Sequence, residues 1–188
     1  LDSYQKRCIH EFFRQHGALP EWLAAFGDLR EPVPVPHHSQ FQWLDEEWGV
    51  LLTGAPDDIY RRNDESLFVV DFKTAKATEQ ADALLPLYVV QLNSYGFLAE
   101  RLGLGTVTGL GLVYFEPLTE TDNIDSRLSV HGFDLGFSAH TVHVELNTAQ
   151  IPMLLRKARA IFDSPSPAPM ANCRDCALVA QMFSLATP

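Results

Sequence analysis

The sequence predicts an α/β domain with a central mixed β-sheet flanked by helices, and three observations carry that expectation. Helical patterns stand at the start (1–17), in the middle (87–103) and near the end (148–164) of the 188-residue chain. Between them lie short β-rich runs, the clearest being Leu67-Phe68-Val69-Val70 and the long stretch 105–118. With 46% hydrophobic and 11% aromatic residues, the chain can bury one substantial core, so a single domain over 1–188 is expected.

In order, "LDSYQKRCIHEFFRQHG" (1–17) reads as a first helix, and "EPVPVPHHSQFQWLDEEWGVLLTG" (31–54) as proline-punctuated strand material. A strand at 49–53, a Gly-Ala-Pro break, a strand at 57–61, a turn at Asn63-Asp64-Glu65 and a strand at 67–74 follow. After Pro86, "LYVVQLNSYGFLAERLG" reads as a helix closed by Gly103, with Leu87, Gln91, Tyr95 and Leu102 on one inward stripe. Residues 105–118 form a long buried strand, 128–133 and 140–145 two more, and 148–164 the last long helix. Residues 164–188 then read as a "SPSPAP" linker and a Cys-x-x-Cys segment of the same domain.

The strand "LFVVDFKTA" (67–75) raises the chemical question, because after four apolar residues it presents Asp71 and Lys73. Residues i and i+2 of a strand share a face, so these two charges lie side by side while Phe72 points away. A salt bridge alone would account for them. The hairpin upstream, however, brings Asp57 or Asp58 close to Asp71. Two carboxylates held together repel unless a cation sits between them. Lys73 supplies one charge, and a divalent metal with oxygen ligands supplies more, which gives a magnesium-type site suited to phosphoryl chemistry.

An acid, about a dozen residues and then Asp-x-Lys resembles the PD-(D/E)XK nuclease superfamily, and the resemblance extends to its RecB-like, CRISPR-associated-exonuclease-like branch. Gly54-Ala55-Pro56-Asp57 has the Gly-x-x-Asp form, Val70-Asp71-Phe72-Lys73-Thr74 the Val-Asp-Tyr/Phe-Lys-Thr form, and Gln91-Leu92-Asn93-Ser94-Tyr95 the Gln-x-x-x-Tyr form. The resemblance implies a restriction-endonuclease-like core and a site in which Asp57, Asp71 and the backbone carbonyl of Phe72 hold Mg²⁺ or Mn²⁺. It makes Lys73 the catalytic lysine and sets Gln91 and Tyr95 beside it. The Gly-x-x-Asp spacing selects Asp57. Asp58, turned to the opposite face by alternation, reads as a solvated or turn-capping acid.

Charge pulls the other way. The net charge is −10, from 14 Lys and Arg against 24 Asp and Glu, whereas non-specific DNA affinity comes largely from phosphate neutralisation. The bases do cluster: Lys6, Arg7 and Arg14 in the first helix, Arg61 and Arg62 after the first acid, Lys73 and Lys76 at the site, and Arg156, Lys157 and Arg159 late in the chain. A narrow basic groove or a protein partner supplying the DNA grip is therefore expected, with Arg61 and Arg62 as candidate nucleic-acid contacts. No apolar run reaches the ~18–20 residues of a membrane span and no signal peptide is visible, which makes a cytoplasmic protein the expectation. The chain begins at Leu1 rather than Met, as a fragment would.

An additional metal ligand could come from Asp2, His10, His37 or His38, and a satisfied structural histidine is the alternative for each histidine. The glycines of "GLGTVTGLG" make no dinucleotide fingerprint, because Thr108 takes the third glycine position and a strand follows. His140 and His143, three apart in a strand, face opposite ways. Cys173 and Cys176 stand where the resemblance places cysteines of an iron–sulfur cluster, yet Cys8 is the only other cysteine and position 182 is Met. Two thiolates cannot alone complete a zinc or cluster site. The pair reads as an iron–sulfur or zinc remnant that needs further N-terminal cysteines, with its side chains toward the first residues. A thioredoxin-like context for a redox pair is missing.

These observations imply a Mg²⁺- or Mn²⁺-dependent nuclease acting on DNA, on single strands or duplex ends, of exonuclease type, in repair, recombination or defence. The alternative is a non-catalytic nucleic-acid-binding or scaffold domain that keeps the fold. A third reading keeps the metal and changes the substrate to RNA or a small phosphodiester.

Overall fold

The computed structural model describes residues 2–75, 84–120, 124–165 and 168–186. Helix α1 (Asp2–His16) is followed by a 3₁₀ turn at Glu21–Phe26 and strand β1 (Leu29–Val33). Strands β2 (Gln42–Asp45) and β3 (Val50–Thr53) precede β4 (Asp58–Arg62) and β5 (Leu67–Lys73). Helix α2 (Leu85–Arg101) leads to β6 (Val107–Pro117), the short β7 (Leu128–Ser129) and β8 (Gly132–Phe133), and β9 (Phe137–Val144). Helices α3 (Ile151–Asp163) and α4 (Arg174–Ala186) close the chain.

The main sheet has five strands in the order β1-β4-β5-β6-β9. The β5–β6 pair is parallel and the other three are antiparallel, so the sheet is mixed, as expected. A parallel neighbour needs a crossover, and α2 supplies it between β5 and β6. This is the restriction-endonuclease-like arrangement.

Strand alternation divides β5 between two cores. Phe68, Val70 and Phe72 pack with Ile9 of α1, Leu23, Phe26 and Tyr60 on one face. Leu67 and Val69 pack with Ile59 and with Leu92, Tyr95 and Leu98 of α2 on the other. The β2–β3 pair forms its own two-stranded sheet, whose Trp43 and Leu52 cover the α2 core and meet Ile151 and Leu155 of α3. Full burial of each such large apolar side chain contributes about 1.5–3 kcal/mol.

Two expectations about elements are corrected. Residues 128–133 do not form one strand. Gly132, at φ +150°, closes a two-residue hairpin between β7 and β8 instead. Leu87 does not belong to the inward stripe of α2: it is 65% exposed, because the buried positions of this helix begin a turn and a half later, at Leu92. Gly103 does close the helix, at φ +71°. Lys76 lies outside the described residues.

Candidate active site

The alternation that buries Val69 under α2 also turns Asp71 and Lys73 toward that helix. Asp71 is 3% exposed, and Lys73 is ion-paired with its Oδ2. The Lys73 ammonium also lies 4.6 Å from the Tyr88 ring centroid and donates to Gln91 Oε1 at 3.5 Å. Gln91 Nε2 in turn donates to the Tyr95 hydroxyl at 2.7 Å. Gln91 and Tyr95, one helical turn apart, thus reach the lysine as a hydrogen-bonded pair. A Cβ built on Gly54 would stand 2.6 Å from the Tyr95 ring, so the glycine three residues before Asp57 is what lets that ring lie on the backbone.

Asp57 arrives from the turn before β4. Its Oδ2 accepts the Phe72 amide at 2.6 Å, and its Oδ1 faces Lys6 of α1 at 2.8 Å. The β4–β5 pairing ends at Asp58 and Val70, short of Phe72. In a strand a residue's N–H and C=O leave on the same edge. Asp58 pairs with Val70, so continuing that register places Pro56 opposite Phe72, and a proline has no N–H to give. The Asp57 and Asp71 carboxylates are thus gathered at one end of the sheet, with the Phe72 backbone between them in sequence and in contact with Asp57.

Asp58 corrects an expectation. Alternation does turn it to the face opposite Asp71, but there it is fully buried rather than solvated, because α1 covers that face. His10 Nε2 lies 2.9 Å from Asp58 Oδ2, which also accepts the Tyr60 hydroxyl at 2.9 Å, and the Ile59 amide donates to Oδ1 at 3.2 Å. Helix α1 is held against the site end of the sheet by three polar contacts: Gln5 Nε2 donating to Thr74 Oγ1 at 3.1 Å, Lys6 to Asp57, and His10 to Asp58.

Burial raises the Asp71 carboxyl to about 6; the Lys73 hydrogen bond pulls it down, and the neighbouring Asp57 charge pushes it up again. Burial also opposes the Lys73 ammonium, but the Asp71 carboxylate outweighs it and the lysine is raised. Lys73 is therefore charged at neutral pH, a donor and an electrostatic partner rather than a base. Burial raises Tyr95 too, so its hydroxyl keeps its proton.

These residues fit a hard divalent cation. Asp71 Oδ2 is buried and, beyond the Lys73 ion pair, accepts no hydrogen bond among the described residues. The donors are all oxygens, as Mg²⁺ and Mn²⁺ prefer, and zinc or copper would call for nitrogen or sulfur. Among the described residues no group of three or more His, Cys, Asp or Glu side chains gathers as a metal site.

Other candidates from the sequence lie elsewhere. Arg61 and Arg62 do not border the site. The Arg61 pair with Leu67 puts them at the opposite end of β4 from Asp58, about 10–13 Å along the strand. There Arg61 lies against Glu31 and Glu65, and Arg62 pairs with Asp28 at 2.7 Å. His10 spends its Nε2 on Asp58. His37 and His38 are both exposed, with their tilted rings 4.0 Å apart. Asp2 opens α1, and its side chain is outside the described residues.

Cys173 precedes α4 and Cys176 is in its first turn, with the Cys176 amide 3.4 Å from the Cys173 sulfur. That amide lowers the Cys173 thiol. Among the described residues no third ligand joins them, and Cys8 is exposed on α1. An apolar recess of about 580 Å³ lies between α1, the 3₁₀ turn and the β6–β9 edge, lined by Ile9, Phe12, Trp22, Phe115 and Phe137; it contains none of Asp57, Asp71 and Lys73.

Reading the sequence missed Asp58, Tyr60, Tyr88, Gln5 and Thr74 as site-forming residues and noted Lys6 only as one of several bases. The spacing Gln5, Lys6, Ile9, His10 is the signal that could have found the α1 face, since these positions share a helical stripe. No curated protein matches the chain. A family model of the PD-(D/E)XK nuclease superfamily matches residues 4–181, from the first turns of α1 to the middle of α4, and includes every residue of the site just described. The chain belongs to the PD-(D/E)XK nuclease superfamily.

Proposed function

We propose that the protein is a Mg²⁺- or Mn²⁺-dependent nuclease hydrolysing DNA phosphodiester bonds. The observation that carries the proposal is the convergence of Asp57, Asp71 and Lys73 at one end of the sheet, with the Asp71 carboxyl raised to about 6 by burial. In this reading Asp57 Oδ1, Asp71 and the Phe72 carbonyl hold the cation. When bound, it supplies positive charge to the scissile phosphate and acidifies a water. Lys73, charged and aimed by Asp71, Tyr88 and Gln91, orients the attacking water and offsets the charge that develops on the phosphoryl oxygens. Gln91 links the lysine on one side to Tyr95 on the other, and the Tyr95 proton is free to meet a phosphate oxygen.

Action on single strands or duplex ends, of the exonuclease type used in repair, recombination or defence, is the form favoured by the RecB-like order Gly54, Asp57, Asp71, Lys73, Gln91, Tyr95. The contact between Gly54 and the Tyr95 ring supports that branch, since it ties the first motif to the last. The test is cleavage of end-labelled linear and covalently closed circular DNA in Mg²⁺, Mn²⁺ and EDTA, with RNA of the same sequence beside it. Degradation confined to linear DNA, lost in EDTA and reduced about 10²–10³-fold by Lys73→Ala, is expected. Full activity of Lys73→Ala in Mg²⁺ would remove the lysine from the reaction. The net charge of −10 favours one second reading, a domain that keeps the fold without cleaving. Inactivity of the Mg²⁺-loaded chain on all these substrates would select it.

A further inference from the structure

We propose that Lys6 is a displaceable counter-ion: it holds Asp57 in the metal-free site and, once a divalent cation takes that carboxylate, binds a phosphate of the nucleic-acid strand. This rests on the nuclease reading above and adds a substrate contact to it. One oxygen of Asp57 is fixed by the Phe72 amide, so Oδ1 is the oxygen left to face a cation, and what faces it is the Lys6 ammonium. The metal and Lys6 therefore compete for the same atom.

Charge counting says which group yields. Asp57 and Asp71 carry at most two negative charges, and Lys6 and Lys73 balance them. A divalent cation added to both ammoniums leaves the site two charges too positive until one ammonium moves out or phosphates arrive. Lys73 is pinned by buried Asp71, the Tyr88 ring and Gln91. Among the described residues Lys6 has only the Asp57 contact, and its side chain is 32% exposed. A part-exposed ion pair of this kind is weak and readily exchanged.

The helix keeps the released ammonium at hand. Gln5 is anchored on Thr74 and His10 on Asp58, so the root of Lys6 stays beside the site while its four-carbon stem swings. A phosphodiester drawn to the metal would then lie between the cation and Lys6. This gives the acidic chain a basic contact where Arg61 and Arg62, committed to acids at the far end of β4, give none.

The test uses the full chain and its Lys6→Gln, Lys6→Arg and Asp57→Asn variants, each checked for an unchanged melting transition. Mn²⁺ affinity is read by titration calorimetry without DNA, and affinity for a labelled single strand is read in Ca²⁺ over a salt series. Lys6→Gln is expected to bind Mn²⁺ about twofold to fivefold more tightly, because the competitor is gone. The same variant is expected to bind the strand several-fold more weakly, with a salt slope smaller by about 0.7, one phosphate contact. Lys6→Arg should restore strand binding. Unchanged Mn²⁺ affinity in Lys6→Gln overturns the counter-ion role, and unchanged strand affinity and slope overturn the phosphate contact. Asp57→Asn separates the layers. If it keeps wild-type Mn²⁺ binding, the metal site itself fails. If it loses binding while Lys6→Gln changes nothing, only the role of Lys6 falls.

Discussion

Replacing Asp71 by asparagine should stabilise the metal-free protein at neutral pH, although it removes a charged partner from Lys73. The carboxyl sits at about 6 against an ordinary 3.8, so ionising it in the folded protein costs up to ~3 kcal/mol at about 1.36 kcal/mol per pKa unit. The groups facing it are Lys73 on its own strand, Asp57, and Tyr88, Gln91 and Tyr95 of α2. A folded value raised above the unfolded one gives a stabilising contribution fully present below pH ~3.8 and lost as pH rises through about 6. The neutral amide of Asp71→Asn removes that loss. The attraction of Lys73 is already contained in the folded value of about 6, but a buried amide with imperfectly paired polar atoms offsets part of the gain, so a net gain of about 1–2 kcal/mol remains. For a domain of this size that raises the melting temperature by about 2–8 °C. Melting curves in EDTA from pH 4 to pH 8 test this: the two proteins should converge near pH 4 and diverge in favour of Asp71→Asn above pH 6. Mg²⁺ should reverse the order by stabilising only the wild type. A variant less stable than wild type at pH 7.5 in EDTA, by the same margin at pH 4.5, would refute the reasoning.

His10 is raised by its hydrogen bond to Asp58, so its contribution is present below pH 6.5 and fades as pH climbs through the folded value; His10→Ala should cost about 1 kcal/mol at pH 6 and little at pH 9, read by chemical denaturation. Gly54→Ala should drive the Tyr95 ring off the backbone, costing about 1–3 kcal/mol and most of the cleavage rate; a variant with wild-type melting and turnover would show that the ring is free to move. Because few of the described bases border the site, affinity for single-stranded DNA should fall by only about 0.7 log units per log unit of salt for each phosphate contacted. A slope several times steeper would reveal a basic surface other than α1 and the site.

The half of the site that lies on α2 and β5 was legible in the sequence because it is written in local periodicities. Period two puts Asp71 beside Lys73, and a spacing of four puts Gln91 beside Tyr95. The half that lies on α1 was not. Lys6 meets Asp57 across 51 positions of chain and Gln5 meets Thr74 across 69, and no local pattern encodes such a meeting. Asp58 was misjudged for the same reason, since whether an acid beside Asp57 is solvated depends on the helix that happens to cover it. Arg61 and Arg62 were placed near the site by closeness in sequence, but a strand carries its residues steadily apart, and by Arg61 the site is already a strand's length behind.

The two layers over the sheet are held by different forces. Helix α2 is seated mainly on hydrocarbon, through Leu92, Tyr95 and Leu98, whereas the contacts that bring α1 to the site end are a lysine–aspartate pair, a histidine–aspartate pair and an amide–hydroxyl bond, with Ile9 the one buried apolar residue among those described on the helix. Dissolved ions weaken the first kind of seat little. In the second kind they weaken above all the part-exposed Lys6–Asp57 pair, over a screening distance of about 10 Å at 0.1 M, the buried Asp58 being screened much less. Ionic strength therefore acts as a dial on one layer of the molecule. As it is turned up, the amides of α1 should begin to exchange hydrogen with solvent while those of α2 stay protected, and a reaction that needs both layers would stop before the domain melts.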